Sequence, residues 1–377
     1  MRCALEASYL LDSGKTGVQY YTQGLVQGLA ELEDGPEVTL LMPRRPRASE
    51  LPEAVERAIA ERRMAVCSLP MPRLWLRVGV PVLVGITGAE VCHLPGTIVP
   101  RLLGAQPVVT VHDCCWVHHP HCYPRRELDL LWTVVINSVR RAAAVVVHSE
   151  QTKADCVAVM GVNEERVVVT PDAARCGLRP AEGGKEAARR ALGLSRPYVL
   201  NVGTICRRKN QSRLVAAMGL LREGGQLDFD LVLAGAPGFG GEEVLRLRSS
   251  LRLDQEVQVR GYVGEAELGC LYQGAEALVF PSLCEGFGLP VLEAMACGTP
   301  VVTSDVGALR ETGGDAAEYC DPNDVESIAH SIRSITEDAA YRAALVERGL
   351  QRAKGFIWRD TAERTVRAYR LALSRQL

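Results

Sequence analysis

Apolar residues fall along this chain in short runs of strand length, separated by stretches in which they recur at helical spacing. In the first half the runs occupy residues 38–42, 91–94, 107–111, 144–148 and 167–169. In the second half they occupy 198–203, 230–234, 257–261, 277–281 and 300–303. A run that is apolar on both of its alternating faces must be buried on both, so these read as parallel strands covered by helices. Residues 1–11 read as one more strand. The alternation predicts an α/β protein of two Rossmann-like, doubly wound parallel-sheet domains, facing each other across a cleft. Residues 172–195 carry Pro180, Gly183 and Gly184 and no strand pattern, which puts the domain junction near 173–195. The first domain is therefore expected at 1–175 and the second at 176–355, with an amphipathic helix at 356–377 packing back on the first.

The length of 377 residues suits two cores better than one. Apolar residues at 47% and charged residues at 23% give the balance of a globular chain, not a disordered or fibrous one. A net charge of -2 supplies no whole-molecule attraction for nucleic acid, so no nucleic-acid partner is expected. Residues 1–11 include Arg2 and Glu6 and lack the features of a secretory signal. No uncharged apolar stretch approaches membrane-spanning length either. A cytoplasmic protein is expected. Its 13 cysteines, odd in number and scattered, are expected to be mostly buried thiols outside any disulfide framework. Residues 44–77 hold eight arginines against four glutamates, with Trp75 between Arg73 and Arg77. Such a segment suits either peripheral contact with an anionic membrane, anchored by the aromatic ring, or an amphipathic helix packed on the first sheet.

Two nucleotide motifs can be set aside. Gly14, Lys15 and Thr16 follow a strand like a P-loop, but that pattern needs glycine at position 9, where Tyr9 stands. The glycine-rich stretch 235–241 contains Pro237, and dinucleotide spacing from Gly238 would require glycine where Glu243 stands.

The segment 280–300 carries more chemistry. It leaves a strand, turns through Gly286 and Gly288, and enters a helix with Pro290 in its first turn and Gly298 at its stop. The N–H groups at such a helix start favour an anion at the carboxyl edge of the sheet. Glu285 in the loop and Glu293 in the helix can face one ligand, and acceptor-only carboxylates suit the hydroxyls of a sugar and a ribose. A second strand, ending at Gly203, runs through Thr204 into the basic loop Arg207, Arg208, Lys209.

With these residues the chain resembles glycosyltransferase family 4, whose members retain anomeric configuration and have the two-domain GT-B fold. Its signature of two glutamates separated by seven residues is matched by Glu285 and Glu293. The resemblance implies that Glu285 lies by the donor sugar and Glu293 binds the ribose hydroxyls. The amides of Phe287, Gly288 and Leu289 then meet sugar and phosphate. Lys209 falls where the family places a lysine on the donor diphosphate, with Arg208 beside it. The arginine often found directly after the family's glycine is replaced by Thr204, and Arg208 or Arg207 is expected to supply that contact. Gly14 and Gly17 look like the family's first glycine loop, His112 with Asp113 falls near the donor sugar, and Tyr262 and Val263 fall where the base packs. The Arg-Lys-Asn wording resembles mannosyltransferase-like members. A nucleotide-diphosphate sugar is therefore the expected donor, GDP-mannose or a UDP-sugar. A glycan, lipid-linked or small-molecule acceptor is expected beside it, with no cofactor and no divalent metal. An epimerase or phosphorylase of the same architecture, and a non-catalytic sugar-nucleotide binder, are the rival classes. The cluster His112, Cys114, Cys115, His118, His119, His121 and Cys122 invites a zinc reading but has no paired Cys-x-x-Cys knuckle.

Overall fold

The computed structural model describes residues 1–11, 17–47, 50–71 and 73–374. Two compact units emerge. The first comprises Met1–Cys114, Arg125–Ala173 and Ile357–Leu377; the second comprises Cys115–Pro124 and Ala174–Phe356. The chain thus crosses more often than a single junction implies, because residues 115–124 belong with the second unit.

The first unit holds a seven-stranded sheet of order β3-β2-β1-β4-β5-β6-β7. Its strands are β1 (Arg2–Glu6), β2 (Glu37–Met42), β3 (Met64–Ser68), β4 (Val91–Leu94), β5 (Gln106–Val111), β6 (Ala144–Val147) and β7 (Val167–Val169). Every pairing is parallel, from Cys3 opposite Val38 on one side of β1 to Val145 opposite Val167 at the far edge. The expected strand over residues 1–11 is corrected: it ends at Glu6, and a 3-10 turn covers Ser8–Leu11. The turn begins where the Glu6 carboxylate accepts the Ser8 backbone N–H at 2.9 Å, which competes with continued pairing.

Helix α1 (Gly17–Ala30) covers one face of this sheet, and the C-terminal helix Trp358–Ser374 lies along it. Gly24 and Gly28 make that approach possible. A β-carbon at Gly24 would fall 2.1 Å from the Trp358 ring, and one at Gly28 would fall 2.2 Å from the Trp358 carbonyl oxygen.

Of the two readings of the basic segment, Trp75 follows the packed one and not the membrane anchor. Trp75 is buried and its indole N–H donates to Glu6 Oε1 at 2.8 Å, so it is a core residue of the first unit and not a surface ring. A buried indole needs such a partner. What the segment does expose is an apolar row at a spacing of four: Leu74, Val78, Val82 and Ile86, which are 50%, 37%, 43% and 69% exposed. The row runs along the π-helical turn Trp75–Gly79 into helix α2 (Val80–Thr87). Arg73 and Arg77 are exposed beside it.

The second unit holds a six-stranded parallel sheet of order β10-β9-β8-β11-β12-β13. The strands are β8 (Tyr198–Val202), β9 (Asp230–Ala234), β10 (Val257–Gly261), β11 (Ala277–Phe280), β12 (Val301–Ser304) and β13 (Glu318–Cys320). Alternate strand residues feed two cores. Val199, Leu231, Leu233 and Val279 pack on one face with Leu214 and Met218 of helix α3 (Gln211–Glu223). Tyr198, Leu200, Val232, Leu278 and Phe280 pack on the other with Leu271 and Tyr272. Burial on both faces is what a doubly wound sheet requires.

The contact around Trp358 yields a test. Gly→Ala inside a helix normally stabilises by roughly 1 kcal/mol, but at Gly28 a new methyl meets backbone that cannot step aside. Gly28→Ala is expected to lower stability by about 1–3 kcal/mol in denaturant unfolding. A variant as stable as wild type or more so would remove the close helix approach from the account.

Candidate functional site

Strand order fixes where the second unit can bind a ligand. From β8 the chain winds one way to β9 and β10, while β11, β12 and β13 wind the other. The crevice at the carboxyl ends of β8 and β11 is therefore the topological switch point, where two neighbouring loops diverge. These two loops carry Lys209 and Glu285.

The loops are stitched together by backbone and amide bonds. Asn210 donates through Nδ2 to the carbonyls of Pro281 at 2.9 Å and Pro322 at 2.7 Å. The Leu283 N–H donates to the Arg208 carbonyl at 2.9 Å, and Arg208 Nη1 returns a bond to the Cys284 carbonyl at 2.8 Å. Between them sits a nearly buried ion cluster: Lys209 Nζ lies 2.7 Å from Glu285 Oε1, and Arg208 Nη1 lies 2.9 Å from Glu285 Oε2. Lys209 Nζ also stands 4.4 Å above the centroid of Phe280, a cation–π contact. Gly203 makes room for this lysine, since a side chain there would meet Lys209 Cε at 3.3 Å and would have to adopt φ of +128°.

Electrostatics hold the cluster charged. Burial alone would raise the Glu285 carboxyl, but the Arg208 and Lys209 charges outweigh it and bring the pKa down to about 2. Lys209 is lowered from the ordinary lysine value, chiefly by burial, with Glu285 opposing the fall. Two cations on one carboxylate leave a net positive charge at the switch point, which suits an anionic ligand. Of the two candidate arginines, Arg208 reaches this cluster. Arg207 instead pairs with Glu243 and lies 5.0 Å from the Phe239 ring centroid. Thr204 keeps its carbonyl on Gln211 Nε2 at 3.2 Å.

The turn after Glu285 leads into helix α4 (Leu289–Ala296), with Gly288 as its N-cap at φ of +101°. A β-carbon at Gly288 would fall 2.6 Å from Leu309 Cδ2, so only glycine fits that turn. Phe287 is buried, edge-on to Phe356, and its carbonyl accepts the Thr312 hydroxyl at 2.6 Å. Glu293 is fully buried one turn into α4 and is not joined to the Glu285 cluster. Its Oε1 lies 2.7 Å from Arg175 Nε, and its Oε2 accepts the Tyr272 hydroxyl at 2.8 Å. Burial chiefly raises its pKa, while Arg175 opposes the rise. The sequence reading missed Arg175 and Tyr272: the first lies in a stretch read as linker and the second in an ordinary helix. Tyr262, past β10, is 54% exposed, while Val263 packs against the sheet's core.

His112 belongs to the first unit, at the carboxyl end of β5. Its Nε2 lies 2.9 Å from the Pro95 carbonyl and its Nδ1 lies 3.1 Å from His148 Nε2. His148 Nδ1 in turn lies 3.0 Å from Asp172 Oδ1. The sequence signal for His148 and Asp172 was position alone, one residue past a strand and just after the next. Gly17 opens helix α1, and Gly14 lies outside the described residues.

The cysteine-rich loop also differs from expectation. Cys115 forms a disulfide with Cys284, next to Glu285, while the other eleven cysteines are thiols, seven of them buried. A bond between residues 169 apart in sequence is invisible to spacing arguments. It ties residues 115–124 to the second unit, where the His121 carbonyl accepts Arg207 Nη1 at 3.4 Å. Cys115 is thereby unavailable to a zinc ion, and among the described residues no cluster of three or more His, Cys, Asp or Glu side chains could hold a metal. Nor is any described helix long and apolar enough to cross a membrane.

Comparison with known proteins gives this geometry a family. The chain matches the model "Glycosyltransferase Family 4" over residues 15–174 and the model "Glycosyl transferases group 1" over residues 184–352. It is 32% identical over 282 residues to O-antigen chain mannosyltransferase B of Escherichia coli, covering 74% of each chain. It is 32% identical over 254 residues to a D-inositol 3-phosphate glycosyltransferase of Kineococcus radiotolerans, an alignment spanning 62% of this chain and 58% of that protein. Among solved structures, sucrose-phosphate synthase from Thermosynechococcus elongatus shares its fold with a TM-score of 0.75 at 23% identity, over 99% of both chains. Two parallel-sheet units, both family models and a mannosyltransferase relative at this identity agree: the chain is a glycosyltransferase of family 4, with the GT-B fold, among its mannosyltransferase-like members.

Proposed function

We propose that this glycosyltransferase moves a sugar from a nucleotide-diphosphate donor to a glycan, lipid-linked or small-molecule acceptor, with retention of anomeric configuration and without a divalent metal. The observation that carries the reading is the cluster of Lys209 and Arg208 around nearly buried Glu285 at the switch point of the second sheet. Departure of a nucleoside diphosphate builds negative charge on its terminal phosphate, and preorganised cations in a water-poor site stabilise that charge. Lys209 and Arg208 supply the charge that a metal would otherwise bring. Glu285 keeps both cations in place and lies where the donor sugar is expected. His112 is the first unit's proposed participant. GDP-mannose is the favoured donor, supported by the name of the mannosyltransferase relative, with a UDP-sugar as the alternative.

In this scheme Glu293 binds the ribose hydroxyls. It then exchanges or shares its partners Arg175 and Tyr272. The two glutamates therefore separate in their effects. Glu293→Ala should weaken nucleoside-diphosphate binding in calorimetry, while Glu285→Ala should chiefly slow turnover. Unchanged affinity in a folded Glu293→Ala protein would remove the ribose assignment.

Charge supplied by the protein has a paired consequence. Lys209→Ala should reduce turnover by roughly 10² to 10³, while EDTA leaves wild-type transfer unaffected. Abolition by EDTA with rescue by magnesium, or near-normal turnover in Lys209→Ala, contradicts the mechanism. Nucleotide binding with neither transfer nor hydrolysis would instead point to a non-catalytic binder.

A lipid-linked acceptor fits a protein working at the cytoplasmic face of a membrane. The exposed row Leu74, Val78, Val82 and Ile86, flanked by Arg73 and Arg77, supports peripheral contact with anionic lipid. The protein should co-sediment with anionic vesicles and not with neutral ones, and Val82→Asp combined with Ile86→Asp should abolish this. Binding that ignores lipid charge, or survives both substitutions, excludes this surface.

A further inference from the structure

The carboxyl edge of the first sheet carries a polar strap that crosses four adjacent strands. Pro95 follows β4, His112 follows β5, His148 follows β6, and Asp172 lies just beyond β7, and the sheet order sets these strands side by side. This edge is where α/β sheets present groups to ligands.

The ends of the strap determine its proton count. His112 Nε2 faces the Pro95 carbonyl at 2.9 Å, and a carbonyl only accepts, so that nitrogen carries hydrogen. His148 Nδ1 faces Asp172 Oδ1 at 3.0 Å and the Thr170 carbonyl at 3.3 Å, both acceptors, so it too carries hydrogen. The remaining contact joins His148 Nε2 to His112 Nδ1 at 3.1 Å. Two neutral rings would set one lone pair against another there. A hydrogen bond between them requires a third ring proton, hence one positive charge on the pair, balanced by the Asp172 carboxylate.

The surroundings place that charge. Burial pulls both imidazoles down, but beside His148 the Asp172 carboxylate outweighs it and the pKa is raised. For His112 burial prevails, with the charge on His148 adding to it, and the value falls to about 4. The other titratable groups facing the pair are Tyr21 from α1, whose ring centroid lies 4.7 Å from that of His148, His93 from β4, and Asp113. Burial lowers the His93 pKa to about 3 and keeps that ring neutral. His148 and Asp172 are buried, at 2% and 3% exposure, so partly exposed His112 is the strap's outward member.

We propose that His148 and Asp172 are positioning residues for glycosyl transfer: they fix the ring and tautomer of His112 and keep one positive charge at the carboxyl edge of the first sheet. The inference rests on His112 taking part in the reaction. Its pH signature has a definite sign. A histidine raised in the folded state contributes stability that is fully present below its unfolded value of about 6.5 and is lost as pH rises through its folded value. Without the Asp172 carboxylate, burial lowers the His148 pKa and the strap loses its proton at neutral pH.

The test is Asp172→Asn, which keeps shape and removes charge. The folded variant should lose kcat by at least roughly tenfold, the lower bound set by loss of partners that orient metal-bound imidazoles, with donor KM little changed. Its kcat should fall with rising pH at a lower pH than in wild type, and recover on acidification. Ring ¹⁵N spectra should show both His148 nitrogens protonated in wild type at neutral pH and not in the variant. A neutral His148 in wild type, or an unshifted pH profile in folded Asp172→Asn, overturns the proposal. Normal turnover in His112→Ala overturns the assigned role of His112 and the positioning role with it, whereas the ring spectra decide separately whether the strap is charged.

Discussion

A carboxylate removed from water must find positive charge, and the second unit is arranged around one such demand. Glu285 sits in a loop that burial would neutralise, yet it stays ionised because Lys209 and Arg208 reach it from the neighbouring loop. Removing one partner of a buried pair typically costs about 3–5 kcal/mol, so the two loops are held in one geometry. Asn210 and the exchange between Arg208 and residues 283–284 reinforce it. The result is a net-positive cluster where the sheet's winding reverses, and under the proposed function a departing diphosphate would meet cations already in place. The disulfide from Cys284 to Cys115 adds a covalent tie one residue from Glu285.

The first unit uses the same edge of its sheet differently. Its polar groups are imidazoles, a hydroxyl network and one carboxylate, linked from Tyr369 through His93 and Thr110 to Tyr21, and from Pro95 through His112 and His148 to Asp172. Buried polar chains of this kind are stable only when each member is satisfied. Strand ends place their members at regular intervals, so the sheet itself sets the spacing. The C-terminal helix contributes Tyr369 and closes the back of the network against α1.

Much of this was legible in the sequence because the central strands are buried on both faces. Inside the sheets β4 and β9 have the bounds their apolar runs predicted, and so do the edge strands β7 and β10. The two strands that were missed, β3 and β13, are edges as well, but unlike the all-valine β7 they lack an unbroken apolar run: β3 has exposed Ala65 and ends at Ser68, and β13 is three residues with half-buried Glu318 and Tyr319. Among candidate site residues, Lys209, Arg208 and Glu285 come together because they lie at the ends of adjacent strands. Arg175, Tyr272, His148 and Asp172 stayed hidden because their partners are far away in sequence, and single buried polar residues have no period. Trp75 shows a different limit: a ring between arginines suits a surface anchor or a packed helix equally in sequence, and the bond to Glu6 decides for the core.

Under the proposed function the Lys209 cluster recognises the second phosphate of the donor. Calorimetry comparing a nucleoside diphosphate with the corresponding monophosphate, on wild type and on Lys209→Met, addresses it most directly. A charge-assisted hydrogen bond of about 1.5–3 kcal/mol predicts that wild type prefers the diphosphate by at least roughly tenfold, and that the folded variant binds the two nearly alike. A wild type that does not distinguish them, or a variant that keeps the full preference, would contradict the account.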